Sequence, residues 1–77
     1  MTLKIISAEK VEYIGEVELV SLPGAMGLFT VLENHASLIS ELVPGKIEYA
    51  EKGQRKTMDI RGGIADIDNN VVSVCLY

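Results

Sequence analysis

Gly24-Ala25-Met26-Gly27-Leu28-Phe29-Thr30-Val31-Leu32, followed by Glu33-Asn34-His35-Ala36 and, one strand further on, by Pro44-Gly45, is the stretch whose reading decides the fold. Pro23-Gly24 reads as a turn pair and Gly27 closes the loop it opens. Leu28 to Leu32 reads as a buried strand. Ala36 to Val43 fits either a strand or one short helix; strand is favoured, because Pro44-Gly45 ends the run and its neighbours on both sides read as strands. The stretch also carries the only histidine of the chain, His35.

Working outward, short apolar and alternating runs continue to both ends. Leu3 to Ile6 and Val11 to Ile14, the latter followed by Gly15, are β-rich. Glu16-Val17-Glu18-Leu19-Val20-Ser21-Leu22 alternates as one half-buried strand, with Val17, Leu19 and Ser21 on one face and Glu16, Glu18, Val20 and Leu22 on the other. Val20 and Leu22 interrupt the polar face, so that face is covered at its far end. Lys46 to Ala50 alternates cleanly, Glu51 to Gln54 is a hairpin loop, and Arg55 to Arg61 pairs back, with Met58 and Ile60 facing opposite to Thr57 and Asp59. Gly62-Gly63 supplies a bulge or a positive φ. Ile64 to Ile67 is a strand, Asp68-Asn69-Asn70 a tight turn, and Val71 to Leu76 the last strand. Eight to ten short strands without an amphipathic helix predict an all-β sandwich or barrel in a single domain spanning residues 1–77.

Seventy-seven residues make a small domain, and a chain of this size buries only about 60% of its unfolded surface. Such domains usually gain stability from disulfides, a metal or a partner. Cys75 is the only cysteine, which excludes an internal disulfide, and one histidine beside one cysteine argues against a His/Cys metal cage. A partner is the remaining source. The hydrophobic fraction of 48% and the mean hydropathy of +0.26 agree with a partly exposed apolar surface, which on a soluble protein marks an interface; an unusually apolar core is the alternative.

The net charge of −4, with Lys52, Arg55 and Lys56 as the densest basic group, disfavours nucleic-acid binding. No apolar run approaches the ~20 residues of a membrane span. The start, Met1-Thr2-Leu3-Lys4-Ile5-Ile6, lacks a signal-peptide layout. A free Cys75 fits a reducing compartment, and the expected location is cytoplasmic.

Few residues invite a chemical role. A catalytic His35 needs an orienting carboxylate and a nucleophile, but in a strand Glu33 and Ser37 would share one face and His35 the other; a structural or interface histidine is expected. Asp66 to Asn70 lacks the glycine and terminal glutamate of a calcium loop and reads as a solvated turn. Gly24 to Gly27 is not a phosphate loop, since no Gly-Lys-Ser/Thr ends it. It is either a plain hairpin turn or a loop that presents Met26 and Leu28 to a partner. Cys75 is expected to be a small core residue rather than a reactive thiol. The residues alone describe a small all-β binding or structural domain with no catalytic site, cofactor or metal.

Taken in order, Ser7-Ala8-Glu9, Gly15, Pro23-Gly24 with Gly27, Asn34-His35-Ala36, Pro44-Gly45-Lys46-Ile47, Gly62-Gly63 and Asn70-Val71-Val72-Ser73-Val74 resemble the epsilon subunit of bacterial and chloroplast F-type ATP synthase, called delta in mitochondria. The resemblance covers nearly the whole chain. It implies a flattened β-sandwich of about ten strands at the foot of the central stalk, a non-catalytic rotor part bound to the gamma subunit and to the ring of c subunits. It therefore implies a peripheral position on the cytoplasmic side of the bacterial inner membrane, where proton (or sodium) driven rotation is coupled to ATP synthesis. Carried over by position, Ser7 and His35 lie toward gamma, and Gly24, Ala25, Met26, Gly27 and Leu28 form the loop on the c-ring. That loop is often acidic at the positions of Met26 and Leu28 in the family and is apolar here. Most of the family continues into a C-terminal helical hairpin; this sequence stops at Tyr77, so hairpin-mediated inhibition and ATP binding are expected to be absent. The competing expectations are an unrelated β-sandwich adaptor or ligand-binding module, and a small hydrolase using His35.

Overall fold

A computed structural model describes residues 1–77. It contains nine strands and no helix: β1 (Thr2–Ile6), β2 (Val11–Glu16), β3 (Leu19–Gly24), β4 (Gly27–Val31), β5 (Leu38–Leu42), β6 (Gly45–Glu51), β7 (Gln54–Ile60), β8 (Gly63–Asp68) and β9 (Val71–Leu76). They form one sheet in the order β2-β1-β9-β8-β5-β3-β6-β7, with β4 on β3. All pairs are antiparallel except β1 with β9.

The sheet curls into two layers because β3 pairs with a strand of each. Its first half pairs with β6, from Leu19↔Ala50 to Ser21↔Glu48. Its end meets β5 through the single ladder pair Gly24↔Leu42, flanked by the bonds Val43 N–H to Pro23 O and Ala25 N–H to Glu41 O, each 2.9 Å. Layer one is β2-β1-β9-β8-β5; layer two is β4-β3-β6-β7. Between them lie Leu3, Ile5, Ala65, Ile67, Val72 and Val74 from the first and Val20, Leu22, Val31, Ile47, Tyr49 and Ile60 from the second. At about 25 cal/mol per Å² of apolar surface removed from water, this interior is the main force closing the sandwich.

The turns follow from their residues. Lys52 and Gly53 (φ 51° and 79°) link β6 to β7, and Asn69 and Asn70 (φ 49° and 61°) link β8 to β9; two positive φ values in a two-residue loop are the I′ geometry that matches strand twist. Gly62, at φ 137°, meets the expected positive φ ahead of β8. Within residues 36–43 the chain forms a strand rather than a helix, as favoured, over the shorter span Leu38–Leu42.

Four expectations are corrected. Glu16 to Leu22 is not one strand: β2 ends at Glu16, the chain turns through Val17 and Glu18, and β3 begins at Leu19. The Glu18 carboxylate accepts the N–H groups of Lys52 and Gly53 at 2.9 and 3.0 Å, a tertiary bond that breaks the run. Pro23-Gly24 is not the turn either; both residues stay in β3 and Ala25-Met26 make the reversal. β4 is not buried as a whole, because it sits on the rim of layer two with β3 as its only neighbour; Val31 is buried in the core and Phe29 packs against it partly buried, while Leu28 is 74% exposed. Cys75 is exposed, since Val72 and Val74 take the inward phase of β9.

Candidate functional site

Three places on this scaffold gather polar or apolar side chains into distinct arrangements. The first is the tip of the β3–β4 hairpin. Gly24 lets the hairpin close on itself, because a Cβ there would sit 2.8 Å from the Phe29 ring. The reversal at Ala25-Met26 projects Met26 fully into solvent (101% exposed). An open groove of about 470 Å³ lies between this hairpin and β5, lined by Met26, Leu28, Phe29, Leu38, Ile39 and Glu41 among others. Ile39 is 70% exposed. Gly24, Ala25, Met26, Gly27 and Leu28 are thus brought together as one hairpin tip that lines the groove.

The second is the outer face of layer one. Register places Glu41, Ile64, Cys75 and Ile6 in one row across β5, β8, β9 and β1, with Ile6 opposite Val11 on β2. The adjacent row reads Ile39, Asp66, Ser73, Lys4, Ile14. Ile6, Val11, Ile14, Ile39 and Ile64 are all exposed there, so an apolar stripe runs from the groove across the layer.

Ser7 and His35 stand at opposite ends of this layer. Ser7 follows β1, where its hydroxyl accepts the Lys10 N–H at 3.3 Å and lies 3.2 Å from Glu12 Oε2; it organises the β1–β2 turn. His35 follows the turn at Asn34, whose φ is 65°. The N–H of Asn34 donates to Asn70 Oδ1 at 2.6 Å, and Asn70 Nδ2 returns a bond to Asn34 Oδ1 at 3.2 Å. Asn70 O in turn accepts the N–H of Thr2 at the start of β1. The five residues of β1 therefore separate the two sites, about 16 Å at ~3.3 Å per residue.

The His35 ring donates through Nδ1 to Ala36 O at 2.7 Å. Its sequence neighbours are engaged elsewhere: Ser37 donates to Asp68 at 2.6 Å, and Glu33 lies 3.8 Å from the N-terminal ammonium. No carboxylate orients the imidazole, and the arrangement lacks the parts of a nucleophilic triad. Likewise, no group of three or more His, Cys, Asp or Glu side chains is placed to hold a metal ion.

The third place is the seam where β2 meets β6. Tyr13 and Tyr49 stack with centroids 4.6 Å apart, the Tyr13 hydroxyl donates to Glu51 Oε2 at 2.9 Å, and Lys56 donates to Glu51 Oε1 at 3.0 Å. Burial, followed by the bond to Glu51, pushes the Tyr13 phenol from 10.0 up to about 12. Bonds from Lys56 and then Tyr13 hold the Glu51 carboxyl below its ordinary value, and the bond to Glu51 raises Lys56. These perturbed groups tie strands together and face neither the groove nor the stripe.

Sequence reasoning found the hairpin but missed Ile39, Glu41 and the stripe. The available signal was the apolar residues on both phases of residues 36–43 and in Ile64 and Cys75, which a strand with one solvated face does not need.

Residues 1–76 match the family described as ATP synthase, Delta/Epsilon chain, beta-sandwich domain. The ATP synthase epsilon chain of Leptospira borgpetersenii is 35% identical over 74 residues, covering 96% of this chain and 58% of that protein. The ATP synthase epsilon chain of Caulobacter vibrioides is 40% identical over 63 residues, covering 82% of this chain and 73% of that one. Among solved structures, a chain of the Euglena gracilis mitochondrial ATP synthase, in a cryo-EM structure of OSCP, F1 and c-ring, superposes with a TM-score of 0.89 at 23% identity, over 96% of this chain and 48% of that one. A chain of the Tetrahymena thermophila mitochondrial ATP synthase central stalk and c-ring gives 0.82 at 10% identity, over 97% and 61%. These superpositions establish a shared fold. The chain spans 58% of the length of the Leptospira relative.

Proposed function

The chain belongs to the ATP synthase delta/epsilon family, in its β-sandwich part, and from that premise we propose that it is a non-catalytic rotor subunit that binds the gamma subunit and the c-ring. In this role it couples ion-driven rotation to ATP synthesis, from a peripheral position on the cytoplasmic side of a bacterial membrane. The family match over residues 1–76 carries the reading, and it sets aside an unrelated adaptor. Two surfaces support it. The tip Gly24–Leu28, exposed from Ala25 onward, is suited to rest on the ring. The apolar stripe of layer one, which crosses the strands between the ends marked by Ser7 and His35, is suited to pack on gamma, since exposed contiguous apolar surface marks an interface. A hydrolase using His35 is disfavoured by its lack of a carboxylate partner.

The test is a pull-down of the tagged chain from detergent-solubilised membranes, with mass spectrometry of the eluate. Gamma, alpha, beta and c subunits are expected together. Their absence, with the chain folded and monomeric, would reject the rotor reading. Cys75, the sole thiol and exposed in the stripe, reports on the gamma face directly. It should react with a maleimide in the free chain and be protected in the assembled complex; equal labelling in both would move gamma off this face.

A further inference from the structure

We propose that the outer face of layer one is a self-association surface: in the unassembled chain, two copies pack this face against each other about a two-fold axis running along β9. The face is a grid, and β9 is the middle strand of β2-β1-β9-β8-β5. One row across it reads Val11, Ile6, Cys75, Ile64, Glu41, and the next reads Ile14, Lys4, Ser73, Asp66, Ile39. A two-fold axis along the middle strand keeps the rows and exchanges the sides. β1 of one copy then lies over β8 of the other, and β2 over β5. Ile6 meets Ile64, Ile14 meets Ile39, and Lys4 meets Asp66, each pair formed twice because the interface is isologous. Cys75 and Ser73 face their own counterparts across the axis.

Charge singles out a second copy as the occupant. Lys4 and Asp66 are both exposed, and neither has an ion-pair partner in its own chain. They stand two strands apart, about 10 Å at ~4.8 Å per strand, which is too far to pair with each other. A partner that is only apolar would leave both charges unpaired against a dry surface, where they are costly. An anionic surface would accept Lys4 and repel Asp66. A second copy supplies the opposite charge to each, in the same row. The other acidic groups of the face, Glu16, Glu41 and Asp68, fall at the rim of the pair, in water. Five strands at ~4.8 Å, each about five residues long at ~3.3 Å, make a face of about 24 by 17 Å. In projection that is about half of the ~800 Å² a standard interface covers on each partner. The dimer is therefore reversible. Where gamma covers the same face, as proposed above, the dimer belongs to the chain before assembly.

The test is sedimentation of the free chain from about 10 μM to about 1 mM, at ~0.15 M salt, where a Debye length of about 8 Å screens the net charge. The weight-average mass should rise from 8.4 kDa toward twice that value. Lys4→Glu and Asp66→Lys alter exposed side chains, and circular dichroism confirms that each variant is folded. Each should weaken self-association by about ten-fold or more, because each sets like charges opposite one another twice. Mixing the two variants should restore a dimer, since each then meets its opposite charge only in the other. Cys75, beside the axis, should react with a maleimide about five-fold more slowly at dimeric than at monomeric concentrations. A chain that stays monomeric at the highest concentration overturns the proposal. So does self-association that both charge variants retain, a mixture no more dimeric than its components, or Cys75 labelling that ignores concentration while the mass rises. None of these outcomes touches the gamma reading, which stands or falls by the pull-down from membranes.

Discussion

The β2–β6 seam and the β3–β4 tip are both places where a hairpin end meets another part of the sandwich, and their polar groups are treated differently. At the seam, Tyr13, Glu51 and Lys56 satisfy one another, Glu18 caps the Lys52-Gly53 turn, and Tyr49 is 6% exposed. At the tip, the backbone is closed by its bonds to β5, yet Met26, Leu28 and Ile39 stand in solvent and Glu41 has no partner. A small domain can leave apolar surface uncovered at one end because its own closure is completed at another. The seam answers to stability, and the tip is left free for the association proposed above.

Perturbing both regions tests this division. The largest effect on the fold is expected from Tyr49→Ala, which removes a buried ring that stacks on Tyr13; large-to-small changes of this kind cost about 3 kcal/mol, readable as a lower urea midpoint. Tyr13→Phe keeps the ring but removes the bond to Glu51, and should cost under about 1 kcal/mol.

The same residue gives a pH signature. The Tyr13 phenol is raised from 10.0 to about 12, so its contribution is whole below pH 10 and is lost as pH rises toward 12. Glu51, held below its ordinary value of 4.5, acts in the opposite sense: its contribution is present above that value and is lost on acidification. Tyrosinate absorbance should show a step near 12 in the wild type that is lost in Tyr13→Phe. A wild-type titration with no such step would remove the seam's special status.

The smallest effect on the isolated fold is expected from Met26→Asp combined with Leu28→Asp. Stability should stay within about 0.5 kcal/mol of wild type, as for other exposed positions, while coupling of the assembled enzyme falls. Unchanged proton-pumping efficiency in that variant would reject a role for the tip.

Turn chemistry was the most legible part of the sequence. Asn69-Asn70, Gly53 and Gly62 marked their breaks because positive φ favours asparagine and glycine; Lys52 takes a positive φ beside Gly53 without belonging to that group. Strand existence was legible as well, down to the strand over residues 38–42. What alternation could not give is phase. A period of two says that Val72 and Val74 share a face and Cys75 lies on the other, not which face is covered, so Cys75 was placed in the core. The same gap concealed Ile39 and Glu41, which are brought beside the hairpin only through pairing with β8 and approach of β3–β4. The break at Val17–Glu18 was hidden for a related reason, since the groups Glu18 bonds are Lys52 and Gly53, 34 and 35 residues away.

The parallel pairing of β1 with β9 has a consequence for how the chain is made. β1 lies between β2, which follows it at once, and β9, which arrives last. During synthesis on the ribosome, one edge of the first hairpin stays unpaired until residues 71–76 have emerged, and open strand edges are where nascent chains stick to one another. Lys4, exposed on β1, puts a positive charge on that waiting strand, the kind of residue that guards an edge against premature pairing.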